Sequence, residues 1–243
     1  MSEADARAAR AELEGLLTEA GLSLPAAALD RLERYVGLLL GANARLNLTR
    51  VVEPAAVARL HLLDALAALP VLDGAAPVRA LDLGSGGGVP GMVLAIARPQ
   101  VQWTLLDSVG KKTDALRAFA TTLELANVDV IADRAELLGR GAARASFDVV
   151  TARACAALPA LVELALPLLR IGGTLLAWKG PIGEEELSAG QRASALLGGS
   201  GPVVEAAGPA VLGDHRFVML TKVEPTPDRY PRRPGDPVRR PLG

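Results

Sequence analysis

Residues 80–91 read "ALDLGSGGGVPG", with five glycines in the eight positions from Gly84 to Gly91, between the apolar run Val78–Leu83 and a second one, "MVLAIA". An apolar run closed by clustered glycines and followed by another apolar stretch is a strand-to-helix turn that lets a ligand approach the backbone closely. Gly86, Gly88 and Gly91 stand in G-x-G-x-x-G register, and Asp107 follows at the end of the next strand, which formally fits a dinucleotide site. No Gly-Lys-Ser/Thr closes the loop, so it is not a triphosphate-binding loop. Asp82, on the strand just before the first glycine, favours a different ligand. A carboxylate there repels the phosphates of a dinucleotide and attracts the sulfonium and ammonium of S-adenosylmethionine. Pro90 suits the first turn of the following helix, where its missing N–H is no loss.

Outward from this loop, short apolar strands alternate with helical stretches: "VRALDL", "QWTLLD", "DVIA", "FDVVTA", "GTLLAW" and "HRFVMLTKV", with one edge strand in the Gly- and Ala-rich segment before the last. The alternation predicts an α/β fold with a mostly parallel sheet and helices on both faces. Residues 77–223 form this core. Residues 1–76 alternate apolar and charged positions at helical spacing, with Leu29, Leu32, Val36 and Leu39 on one face, and read as an N-terminal helical cap region. Residues 224–243 carry six prolines and five arginines and read as an extended tail. In that reading Arg229, Arg232, Arg233, Arg239 and Arg240 are available to phosphates. The alternatives are a solvated end, or a strip that packs on the domain through Tyr230 and Leu242.

Composition narrows the class. A chain of 243 residues, half of them apolar, can bury one sizeable core. The start, "MSEADARAARAELEG", carries acids where an export signal needs bare positive charge, and predicts a cytoplasmic protein. "LPALVELALPLLR" is too short to cross a bilayer and is interrupted by Glu163 and Pro167, so it reads as a buried helix and not as a membrane segment. The single cysteine, Cys155, excludes an internal disulfide, and with His61 and His215 standing alone no metal framework is expected. The net charge of −1 averages over patches and does not exclude nucleic acid.

The strand ends carry the candidate chemistry. Asp107 can accept hydrogen bonds from both hydroxyls of a ribose, or cap the following helix. Asn127 and Asp133 flank the third strand, and backbone groups of Ala135 and Glu136 would lie near an adenine, although such residues also serve plain turns. Arg153 ends the fourth strand, where open α/β sheets bind ligands; the alternative is a solvated surface cation. His61 and Asp64 share a helix face by their spacing. The segment "TARACAAL" lacks the Asn/Asp-Pro-Pro-aromatic pattern of enzymes that methylate exocyclic amines. Cys155 reads as a small buried residue or as a nucleophile toward a pyrimidine ring. No acid–base dyad stands out, which suits a methyl acceptor that already has a free lone pair.

Together "LDLGSGGGVPG", "LLDSVGKK", "TARA", "LLAWKG", "NLTR" with "HLLDAL", and "YPRRPGDPVRRPL" resemble the bacterial small-subunit rRNA guanine-N7 methyltransferases, the glucose-inhibited division protein B family, from about Tyr35 to Leu242. The resemblance implies a Rossmann-like class I S-adenosylmethionine-dependent methyltransferase fold with a seven-stranded sheet. It implies a cofactor site at Gly84, Gly86, Gly88, Val89, Asp107, Ser108, Val109, Ala135, Glu136 and Arg153. It further implies Asn47, His61, Asp64, Arg153 and Lys179 around a mouth facing RNA. Transfer to N7 of a guanine in 16S rRNA, free or within the assembling small ribosomal subunit, is the implied reaction. Ala42-Asn43 and Ala65 depart from the family's Trp-Asn pair and serine, and bear on the RNA side only. Methylation of another RNA or of a small molecule, a dehydrogenase, and a non-catalytic RNA-binding protein are the other readings.

Overall fold

The computed structural model of the protein describes residues 3–243; Met1 and Ser2, part of the stretch read as lacking an export signal, lie outside them. Seven strands form one sheet: β1 (Arg79–Leu83), β2 (Gln102–Asp107), β3 (Val128–Ala132), β4 (Phe147–Arg153), β5 (Leu169–Lys179), β6 (Val203–Ala206) and β7 (Arg216–Thr221). Their order is β3-β2-β1-β4-β5-β7-β6. The first five run parallel, whereas β7 lies antiparallel between β5 and β6. This is the mostly parallel, doubly covered sheet that the strand pattern predicts.

Period-two alternation sends side chains to two separate cores. In β5, Leu175 and Ala177 enter one core and Leu176 and Trp178 the other. The first core is covered by α1 (Glu3–Glu19), α2 (Ala26–Leu46), α3 (Pro54–Val57), a π-helical segment Ala58–Leu63, α4 (Asp64–Leu66), α5 (Leu69–Ala75), α6 (Gly91–Ala97) and α7 (Gly110–Thr122). The second is covered by α8 (Ala135–Leu138), α9 (Leu158–Ala165) and α10 (Glu184–Leu197). Leu32, Val36 and Leu39 are buried along α2, and Leu29 packs beside them. The N-terminal helices thus share a core with the sheet. All eight residues of α9 are buried, as its composition predicts. The helical run Pro54–Ala75 is long and apolar enough to cross a membrane by length and composition, and most of it is buried inside the domain.

The tail departs from the extended reading. It forms a short helix, α11 (Asp236–Arg239), and packs back on the second core through Tyr230, with Leu242 at its edge. Arg232 is not available to phosphates: its guanidinium binds both oxygens of Glu163 at 2.6–3.0 Å, and its backbone N–H adds a 2.7 Å bond. Arg239 and Arg240 both bond Asp236, and Arg229 lies over the Tyr230 ring. A carboxylate with 0% exposure on α9 requires a partner, and Arg232 supplies it.

Candidate functional site

The sheet order reverses at β1, whose neighbours are β2 and β4, and a crevice opens at the carboxyl ends of these strands. Gly84, the first glycine of the loop, lines it. Gly84 and Gly86 take positive φ, +73° and +56°, a region that disfavours side chains. Gly91 is fixed by packing: a Cβ there would sit 2.5 Å from Leu105 and 2.6 Å from Asp82. The N-terminal helices hold the loop from above. Tyr35 donates its hydroxyl to the Gly87 carbonyl at 2.8 Å, and Leu48 packs against Gly87.

Asp82 does not face the crevice. It is 1% exposed, its Oδ1 accepts the Thr151 hydroxyl at 2.8 Å, and its Oδ2 accepts the Gly91 N–H at 3.2 Å. Burial pushes its carboxyl well above the usual range. The electrostatic case drawn from Asp82 for a cationic ligand is therefore corrected: this residue ties the loop to β4.

Asp107 stands at the carboxyl end of β2. Its Oδ2 accepts the Gly86 N–H and its Oδ1 the Val109 N–H, each at 2.9 Å, which leaves a further lone pair on each oxygen. It lines a cavity of about 320 Å³ with Gly84, Ser108, Val109, Ala135, Glu136 and Cys155. Gly86 adjoins this cavity only through its bond to Asp107. Gly88 and Val89, expected in the cofactor site, turn inward instead: a Cβ on Gly88 would meet Met92 and Leu116, and Val89 is part of the first core. Asn127 serves the fold, whereas Asp133 lines the cavity beside Asp107. Asn127 donates to the carbonyls of Ala95 and Val101, and Asp133 accepts the Arg134 N–H.

A second cavity, of about 440 Å³, adjoins the first and shares Ala154 and Cys155 with it. His61, Asp64, Arg153, Trp178, Lys179 and His215 line it. His61 and Asp64 are 6% and 1% exposed, not the exposed pair a helix surface gives, and they meet through Arg153. Arg153 donates to the Leu60 carbonyl at 2.7 Å and to Asp64 Oδ2 at 3.1 Å, and its other nitrogen lies 3.4 Å from His61 Nδ1. Asp64 Oδ1 bonds His215 Nδ1 at 2.8 Å, and its carbonyl accepts the Trp178 indole N–H. His61 Nε2 bonds the Thr49 hydroxyl at 2.7 Å. Arg153 thus faces this cavity rather than the one around Asp107. Lys179, at the rim, is paired with Glu186 at 2.8 Å. Asn47 caps α2 in left-handed conformation and lines neither cavity.

Burial, with the charge of Arg153, lowers His61 to about 4, and burial pushes the Cys155 thiol up to about 12. The thiol, 2.7 Å from the Leu83 carbonyl, is thus protonated at neutral pH, which favours the small-residue reading over the nucleophile. Among the described residues no group of His, Cys, Asp and Glu could hold a metal.

Residue-by-residue reading missed His215, Thr49 and Trp178. The signal for His215 is topological. An antiparallel last strand begins where its parallel neighbour ends, so the residue before β7 falls beside Lys179.

A model of the rRNA small subunit methyltransferase G family matches residues 28–209. A ribosomal RNA small subunit methyltransferase G of Deinococcus radiodurans is 46% identical over 217 residues, covering 88% of this chain and 85% of the relative. One from Moorella thermoacetica is 38% identical over 227 residues, covering 92% and 94%. Among solved structures, the S-adenosylmethionine-dependent methyltransferase SibL superposes with a TM-score of 0.56 at 18% identity, covering 82% of this chain and 70% of its own. An S-adenosylmethionine-dependent O-methyltransferase from Thermotoga maritima does so with 0.52 at 14% identity, covering 78% and 72%. These two likenesses show the fold alone, the class I methyltransferase fold. With three-quarters of its length matched by the family model and relatives of this identity along most of both chains, the chain belongs to the rRNA small subunit methyltransferase G family.

Proposed function

We propose that the protein transfers a methyl group from S-adenosylmethionine to N7 of a guanine in 16S rRNA. The observation that carries this is the pair of adjoining cavities at the carboxyl edge of β1 and β4, joined at Ala154 and Cys155. One fits a nucleoside through Asp107 and the start of α8. The other fits a base among His61, Asp64, Arg153 and His215. Family membership and the relatives named as ribosomal RNA methyltransferases support rRNA as the acceptor.

When bound, S-adenosylmethionine supplies an electrophilic methyl on sulfur. The chain's own residues orient and shield. Gly86 and Val109 fix the Asp107 carboxylate, whose remaining lone pairs would accept both ribose hydroxyls. Guanine N7 carries an in-plane lone pair on its major-groove edge, so no residue has to remove a proton before attack. Catalysis then comes mainly from alignment of donor and acceptor, a contribution that can reach about 7–11 kcal/mol. Transfer leaves a positive ring, which neutral or acceptor groups tolerate best. His61, lowered to about 4, is uncharged at neutral pH, and Arg153 is compensated by Asp64.

This assigns Arg153 to holding the segment Leu60–Asp64 against the end of β4 rather than to the cofactor carboxylate or an RNA phosphate. Because A-form grooves hide N7, the target guanine is presented in an irregular segment of rRNA or in the assembling small subunit. Comparing the modified guanines of 16S rRNA from cells with and without this protein tests the proposal. One N7-methylguanine should vanish with the protein, and an unchanged set contradicts it.

A further inference from the structure

The tail, which its sequence offers either as an arm for RNA or as a strip packed on the domain, leads to the Asp107 cavity. Arg232 is clamped on the buried Glu163, and Gly235, at φ +85°, donates its N–H to Glu136 Oε1 at 2.7 Å. Glu136 stands in the first turn of α8 and lines the same cavity. Arg140 and Arg144 hold the carbonyls of Pro231 and Tyr230. From these pins α11 begins, and it places Val238 in the cavity lining, while Arg239 and Arg240 bond back to Asp236. What the tail presents to the cavity is therefore an apolar side chain.

Val238 is 56% exposed and Val109, on the same lining, 44%. Both are large apolar side chains left open beside a carboxylate suited to a ribose. We propose that the C-terminal tail is part of the cofactor site, with Val238 forming an apolar wall against the adenine of S-adenosylmethionine. The inference rests on the reading above that the Asp107 cavity holds this cofactor. A flat heteroaromatic ring needs apolar contact on its face and hydrogen-bonding groups at its edge. Val238 and Val109 provide the first, and the backbone at Ala135 and Glu136 lies where the second is needed.

The test uses the full chain, its Val238→Ala and Val238→Asp variants, and calorimetric titration with S-adenosylmethionine and with adenosine. Val238→Ala should weaken both ligands by roughly three- to tenfold, in keeping with the loss of a buried valine's apolar contact, and Val238→Asp more. Because Val238 is largely exposed in the free protein, thermal unfolding should not move. Variants that bind both ligands like the parent, or that lose S-adenosylmethionine but keep adenosine, overturn the inference while the cofactor reading stands. A parent chain that binds no S-adenosylmethionine overturns both.

Discussion

The Oδ2 of Asp107 accepts the backbone N–H of Gly86 at 2.9 Å, across 21 positions of sequence. The residue assigned to the ribose therefore also sets the shape of the loop beneath it. Asp107→Ala removes both functions, and two charge-assisted bonds to the ligand amount to about 1.5–3 kcal/mol each. Titration with S-adenosylmethionine should show at least a tenfold loss of affinity. Gly86→Val should be worse, because φ is +56° there. Normal binding by either variant removes the cofactor site from this loop.

Asp64 joins Arg153 and His215 at the floor of the second cavity. Asp64→Ala leaves a guanidinium without its carboxylate, and removing one partner of a buried pair costs about 3–5 kcal/mol. Arg153 keeps about a fifth of its side-chain exposure, so the lower end applies. Chemical denaturation measures this directly. His61→Asn, which keeps a polar group toward Thr49, should lower methylation while leaving cofactor affinity within about twofold, because His61 lines only the acceptor cavity. Equal losses in both would place His61 in the cofactor site.

The lowered titration of His61 has a pH consequence with a definite sign. Between pH 6.5 and about 4 the unfolded chain holds a proton on this ring that the folded chain refuses. Stability is therefore full above pH 6.5 and falls as pH drops toward 4. The displacement corresponds to on the order of 3 kcal/mol. Denaturant unfolding between pH 4 and 7 should show a steeper fall for the parent than for His61→Asn; identical slopes would mean that His61 titrates normally.

Arg232→Ala strands Glu163, a carboxylate with no exposure. The same buried-pair cost, about 3–5 kcal/mol, should appear as a marked drop in thermal midpoint. Glu163→Gln with Arg232→Ala should recover part of it, since a neutral amide is cheaper to bury. An Arg232→Ala protein as stable as the parent would mean that the tail is not docked in solution.

Cys155 lies between the two cavities with its thiol pushed up to about 12. Cys155→Ser should keep most methyl transfer, because no thiolate takes part at neutral pH. Loss of turnover with intact cofactor binding would revive the nucleophile reading.

The sheet was legible because its strands are short apolar runs cut by glycine, and β2 is predicted to the residue. Gly84, Asp107, Ala135 and Glu136 line one cavity, at or just beyond the carboxyl ends of β1, β2 and β3, the places to which strand position and the family resemblance pointed. Partnerships distant in sequence were not legible. Glu163 read as an interruption of an apolar stretch, since nothing local announces that Arg232, 69 residues on, will neutralise it. His215 and Asp64 lie 151 residues apart and meet only because β7 runs antiparallel to β5. Asp82 was misread in the opposite direction: its location is right, but Thr151 and Gly91 take its oxygens inside the fold.

The proposed methyl transfer to guanine N7 of 16S rRNA draws its cofactor from the Asp107 cavity. Purified protein incubated with methyl-labelled S-adenosylmethionine and either 16S rRNA or small subunits from cells lacking this protein, followed by chemical cleavage at N7-methylguanine, measures it directly. Label should appear at one N7-methylguanine with the parent chain, and at an at least tenfold lower yield with Asp107→Ala at limiting cofactor. Label on another atom or on many guanines, or an Asp107→Ala yield equal to the parent's, would contradict it.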